Sequence, residues 1–148
     1  MKMRSHYTTA VIVLAIVLAA GIGRTVLTAQ AKKTVWNGVY TSEQATRGKA
    51  TAAEKCGACH SPTLLGGDLA PSLVGNDFIG HWYDAKLSEL VDKVIDTMPA
   101  DAPGSLKPED GADIVAFMLE LNGMPAGKDA LKLEPKAALE AITIVKKP

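Results

Sequence analysis

The sequence predicts an all-α domain, and three observations carry that prediction. Apolar residues at Leu87, Leu90, Val91, Val94 and Ile95 recur at the i, i+3, i+4, i+7, i+8 spacing of one helix face. Two further helix starts are marked, by the capping-box spacing of Thr41 and Gln44 and by Pro108 ahead of Ile114, Val115, Phe117, Met118 and Leu121. The alternating pattern of half-buried strands does not stand out anywhere in the chain.

The first segment is not expected to belong to that domain. Positions 10–22 are all apolar or glycine, Lys2 and Arg4 precede them, and Ala29-Gln30-Ala31 follows. A basic head, a short apolar stretch and a small-x-small site make a secretory signal peptide over 1–31, so the chain is expected to be exported. The alternative is an uncleaved anchor in the inner membrane, but the stretch is short against the about 20 residues of a spanning helix. Cleavage after Ala31 leaves a domain over 32–126 and a tail over 127–148, with thirteen basic and sixteen acidic residues and a net charge of −3. No basic run points to nucleic acid. A domain of this size has a modest core that a bound group could supplement.

Along the remainder, 32–40 reads as a short arm carrying Trp36 and Tyr40. A helix then runs from Ser42 through Ala45, Gly48, Ala52 and Ala53 toward Cys56. A helical glycine costs about 1 kcal/mol against alanine; a close crossing with another helix accounts for Gly48, and a tolerated surface glycine is the bland alternative. Positions 61–76 read as a loop, with Leu64, Leu65, Leu69 and Leu73 suited to wrapping a large apolar ligand. A short helix over 78–84 carries Trp82. The helix over 87–97 stops before Pro99, and Pro103-Gly104 marks a turn. The last long helix has Glu109, Asp110 and Asp113 favourably near its N-terminus and stops at Asn122-Gly123 and Pro125. The tail is rich in Lys, Glu and Ala, with a short helix over 135–141 and Ile142 and Ile144 to hold it down.

The chemistry lies in Cys56-Gly57-Ala58-Cys59-His60. This is C-x-x-C-H, the attachment motif of a c-type haem. Each thiol adds to one vinyl group of the porphyrin, and the short spacing brings both to one edge. His60 then offers an imidazole nitrogen to the iron, while Gly57 and Ala58 leave room for the macrocycle. A thioredoxin-like pair would need a βαβ context, and zinc would need ligands beyond His81, the other histidine after position 31. Opposite His60, the candidates are Met98, Met124 and His81, or the site is open. Met118 reads as core. Met98, next to Pro99, sits on a stiffened turn suited to presenting a thioether and is the preferred ligand.

These residues, with Ala70-Pro71-Ser72-Leu73, Thr97-Met98-Pro99-Ala100-Asp101, Pro103-Gly104-Ser105-Leu106 and Asp113-Ile114-Val115-Ala116-Phe117, resemble a class I, single-haem cytochrome c. The likeness covers about 35–126. It is strongest to bacterial periplasmic cytochromes that accompany dehydrogenases. It implies three main helices plus short helices and loops around one covalent haem, with crossing N- and C-terminal helices that fit Gly48 against Ala116 and Phe117. It implies that the Pro71 carbonyl accepts from Nδ1 of His60. Trp82 would lie near the haem edge or simply pack in the core. Gly111, Thr51-Ala52, Lys86 and Lys107 depart from the pattern, which bears on packing rather than on the ligands.

The expected function is one-electron transfer, not catalysis. A periplasmic dehydrogenase would be the donor, and a terminal oxidase or another cytochrome the acceptor. The alternatives are a haem sensor or peroxidase-like enzyme with a labile sixth ligand, and a membrane-anchored subunit of a dehydrogenase complex.

Overall fold

The arm of 32–40 opens as a two-residue strand, β1 (Lys33–Thr34), in a computed structural model that describes residues 32–148. Positions 1–31, on which the signal-peptide reading falls, lie outside the described residues. A single 3-10 turn, Val35–Asn37, follows. Thr34 caps it: its hydroxyl accepts from the Trp36 amide at 3.3 Å, and its own amide donates to Asn37 Oδ1 at 2.7 Å. The arm is anchored rather than loose, because Val35 and Tyr40 are fully buried.

Helix α1 (Ser42–Lys55) starts at the capping box of Thr41 and Gln44. Gln44 has a second task. Its amide nitrogen donates to the Leu131 carbonyl at 3.1 Å and its oxygen accepts from the Leu131 amide at 2.6 Å, which clasps the tail to α1. The single-turn helix α2 (Gly57–His60) follows, then the loop, then α3 (Gly75–Trp82). Helix α3 begins three residues before the expected Phe78. Its N-cap, Val74, contributes no side-chain bond, so no capping residue marked the start.

Helix α4 (Leu87–Thr97) buries the Leu87, Leu90, Val91 and Val94 stripe. Lys86 stands at its N-cap, and the cap is made from the other side: the Lys86 amide donates to the Glu89 carboxylate at 2.8 Å. Helix α5 (Pro108–Leu121) has Pro108 in its first turn. Its span Gly111–Leu119 is buried throughout, so it is the central helix of the described domain. Gly111 fits because Ile95 of α4 fills the space where a side chain would go.

Helices α1 and α5 cross, and the crossing is close. A Cβ on Gly48 would meet the Asp113 carbonyl and lie 3.0 Å from the Ile114 amide nitrogen. The backbone of Asp113 and Ile114, rather than Ala116 and Phe117, is therefore what Gly48 admits. The correction is about one helical turn. It follows from the helix axes meeting nearer the N-terminal half of α5. Arg47 closes the same crossing with a two-pronged ion pair to Asp113, at 2.6 and 2.8 Å.

The tail carries α6 (Lys136–Glu140) and β2 (Ile142–Thr143). Strand β2 runs parallel to β1, with Lys33 opposite Ile142 and Thr34 opposite Thr143. The described domain is therefore mostly helical, with one two-residue ladder that the expectation of an all-α chain did not include. Strands this short have no period to detect. Ile142 and Ile144 are buried, and Trp36 Nε1 donates to the Val145 carbonyl at 2.9 Å. Among the described residues, no helix is long and apolar enough to cross a membrane.

Candidate functional site

Cys56 ends α1 and begins α2. Its amide donates to the Ala52 carbonyl at 2.9 Å, and its carbonyl accepts from Cys59 and His60 at 3.2 and 2.9 Å. One helical turn thus gathers both thiols and the imidazole. The thiols are not joined to each other; Cys56 is half-buried and Cys59 exposed. Burial, and to a lesser extent the neighbouring Cys59, pushes the Cys56 thiol above its usual range.

The chain then folds back over this turn. The Leu64 amide donates to Ser61 at 3.0 Å, the Gly66 amide to His60 at 2.9 Å, the Gly67 amide to Ala70 at 3.0 Å, and the Leu73 amide to Leu64 at 2.9 Å. The loop is therefore a closed structure with its own hydrogen bonds. Its four leucines divide: Leu64 is core, Leu73 is partly buried, and Leu65 and Leu69 are 63% and 77% exposed. Leu65 and Leu69 stand open to a large apolar group or a partner, and Leu73 is partly open beside them.

This fold-back delivers the Pro71 carbonyl to His60. Nδ1 donates to it at 2.8 Å. A carbonyl oxygen can only accept, so Nδ1 carries a proton, and in the neutral ring Nε2 then keeps its lone pair. That is the tautomer a ligating imidazole needs, and such a hydrogen bond also raises its basicity. His60 is otherwise almost wholly buried.

The loop's far end is tied to α5. Asn122 Nδ2 donates to the Leu73 carbonyl at 3.0 Å and to Met118 at 2.8 Å, while its oxygen accepts from the Gly75 amide at 2.8 Å. In the sequence Asn122 reads as a helix stop within the family-like Asn122-Gly123 pair, and nothing local says which part of the loop it holds. Gly66 also goes unmarked: its glycine-glycine context signals a turn but not what the turn touches.

The sixth-ligand candidates occupy different settings. Met98 caps the C-terminal end of α4 in extended conformation and is half-buried. Met118 and Met124 are buried in the core at 2% exposure. The Met124 carbonyl is further engaged by the Tyr40 hydroxyl at 2.6 Å. His81 is exposed, with its ring edge-on to Trp82 at a centroid distance of 4.9 Å. Trp82 itself packs, partly buried, on the core.

The residues fit a c-type haem. Two unpaired thiols stand three apart, an imidazole with its lone pair on Nε2 follows them, and the loop beyond carries exposed leucines. Among the described residues, no group of three His, Cys, Asp or Glu could hold a bare metal ion.

Fold and site together define a cytochrome c domain, whose chemistry is haem-based electron transfer. Residues 43–118 match the family model for cytochrome c oxidase, cbb3-type, subunit III, and the chain belongs to that family. The fold is also similar to a chain in the crystal structure of the sulfane dehydrogenase SoxCD from Paracoccus pantotrophus, at 26% identity and a TM-score of 0.51. That match covers 74% of this chain and 62% of the other, so this chain spans less than two thirds of its structural relative. Comparison with curated protein sequences returns no significant match.

Proposed function

We propose that the chain is an exported one-electron carrier that takes electrons from a periplasmic dehydrogenase and passes them to a terminal oxidase or another cytochrome. Cys56 and Cys59 would hold one haem c covalently, with His60 and Met98 as its axial ligands. The observation that carries the reading is the 2.8 Å bond from His60 Nδ1 to Pro71, which turns the imidazole into a ligand-ready tautomer inside a C-x-x-C-H turn. Bound haem supplies a ferric/ferrous couple, and a His/Met pair raises its potential.

The protein's own residues do the rest. Pro71 holds the His60 ring in one orientation. Packing of Met118 and Met124 into the core supports Met98 as the sixth ligand. Two permanent ligands leave no coordination site for substrate, which is why a carrier is favoured over an enzyme. Leu65 and Leu69 offer a small apolar contact of the kind that suits brief encounters. A dehydrogenase as donor is supported by the likeness to a chain of the sulfane dehydrogenase SoxCD. Periplasmic placement rests on the signal-peptide pattern of 1–31.

The test is a visible spectrum of protein matured where haem is attached, oxidised, reduced, and reduced under carbon monoxide. A low-spin c-type spectrum with a thioether-to-ferric band and no carbon monoxide response supports the proposal. Prompt carbon monoxide binding would move the assignment to a sensor or peroxidase-like protein. Absence of covalent haem would reject it. Amino-terminal sequencing separates the soluble shuttle, which starts at Lys32, from an anchored subunit.

A further inference from the structure

We propose that Gly66 is a positioning residue for the His60 ligand, holding the Pro71 carbonyl at the imidazole and thereby setting the reduction potential; this rests on the haem reading above. Gly66 meets the backbone of both residues that make the His60–Pro71 hydrogen bond. Its amide donates to the His60 carbonyl at 2.9 Å. The side where a side chain would stand faces the peptide unit between Pro71 and Ser72. A Cβ there would stand 2.5 Å from the Ser72 nitrogen and 2.8 Å from the Pro71 carbonyl carbon. That peptide unit carries the oxygen to which His60 Nδ1 donates.

A side chain at position 66 would therefore push the acceptor itself. The backbone there also has φ +80°, which side chains rarely adopt. The neighbouring Gly67 has no atom within 4 Å of a built Cβ, so the close approach belongs to Gly66 and not to the glycine pair.

The direction of the effect follows from the ligand chemistry. The bond from Nδ1 to a carbonyl makes Nε2 a stronger donor to iron. A stronger donor favours the ferric state. Loosening the bond weakens that preference and raises the potential.

The experiment compares holoprotein variants Gly66→Ala and Gly66→Asn with Gly123→Ala. Asparagine tolerates the left-handed backbone better than alanine yet still carries the Cβ. Gly123 has φ +77° and no atom within 4 Å, so its alanine variant has the backbone penalty without the displaced peptide. Both position-66 variants should keep a low-spin spectrum. Their ferrous-to-ferric ratio at fixed ambient potential should rise about tenfold, a 59 mV shift for one electron. The His60 Nδ1 proton should exchange at least tenfold faster. Gly123→Ala should leave both readings at wild-type values.

Position-66 variants with the potential of Gly123→Ala would overturn the inference and leave the haem reading standing. Should the position-66 variants fail to retain haem, proton exchange in the reduced wild type decides. The Gly66 amide and the His60 Nδ1 proton should then exchange together, and a tenfold separation overturns the inference. A wild type without a c-type spectrum would instead sink the haem reading.

Discussion

Tyr40 is a buried phenol whose ionisation the fold opposes, which makes stability at high pH a sharp probe of the packing between the arm and α5. The side chain is 1% exposed, and its hydroxyl donates to the Met124 carbonyl at 2.6 Å. Burial first, and the charge of Glu120 second, push its pKa to about 12. In the unfolded chain the value is about 10. Below pH 10 both states keep the proton, and the contribution is fully present. Between pH 10 and 12 the unfolded chain loses its proton while the folded one retains it, so stability falls with rising pH. At about 1.4 kcal/mol per pH unit, the total loss is at most about 3 kcal/mol. Tyr40→Phe removes this dependence. At pH 7 it also leaves the Met124 carbonyl buried without a partner, a cost of about 1–3 kcal/mol. Urea unfolding of wild type and variant from pH 7 to 11.5 should show the variant less stable at neutral pH, with the gap closing above pH 10. Lysine ionisation is common to both proteins and cancels in the difference. Parallel curves across the range would refute the reasoning.

Gly48→Ala should lower stability by about 3 kcal/mol in thermal unfolding, because forcing α1 off the Asp113 backbone outweighs the roughly 1 kcal/mol that alanine gains in a helix. An unchanged melting temperature would mean the two backbones do not meet there. Asn122→Ala removes three hydrogen bonds and should cost about 2–3 kcal/mol; the Gly75 amide should lose protection from hydrogen exchange, and retained protection would show that Asn122 does not hold the loop. Met98→Ala should lower the potential and admit carbon monoxide to the reduced protein. An unaltered spectrum and potential would reject Met98 as ligand.

What could be read in the sequence depended on whether the signal was local. C-x-x-C-H was legible because the attachment chemistry sets the spacing within one turn. Helix α4 was legible because it buries a single stripe. Helix α5 is buried almost all round over 111–119, so Pro108 and Asn122-Gly123 at its ends mark it more sharply than its apolar residues do. The parts that escaped are pairings across distance. Gln44 reads as a cap, but its grip on Leu131 spans 87 positions. Gly48 announces a crossing without naming its partner, and the expected partner was displaced toward Asp113 and Ile114. Leu64 looks like its loop neighbours Leu65 and Leu69, yet only the fold-back decides that it goes inside.

The short ladder between β1 and β2 has a consequence for the order in which the domain assembles. Trp36 and Val145, which its pairing brings together, are 109 positions apart. Closing a loop of that length in an unstructured chain costs on the order of 4 kcal/mol in entropy, more than a two-residue ladder returns. The ladder becomes favourable only after α1 and α5 have crossed and shortened the gap. The tail is thus a late fastening, expected to dock in refolding after the helix crossing that positions the turn bearing Cys56, Cys59 and His60.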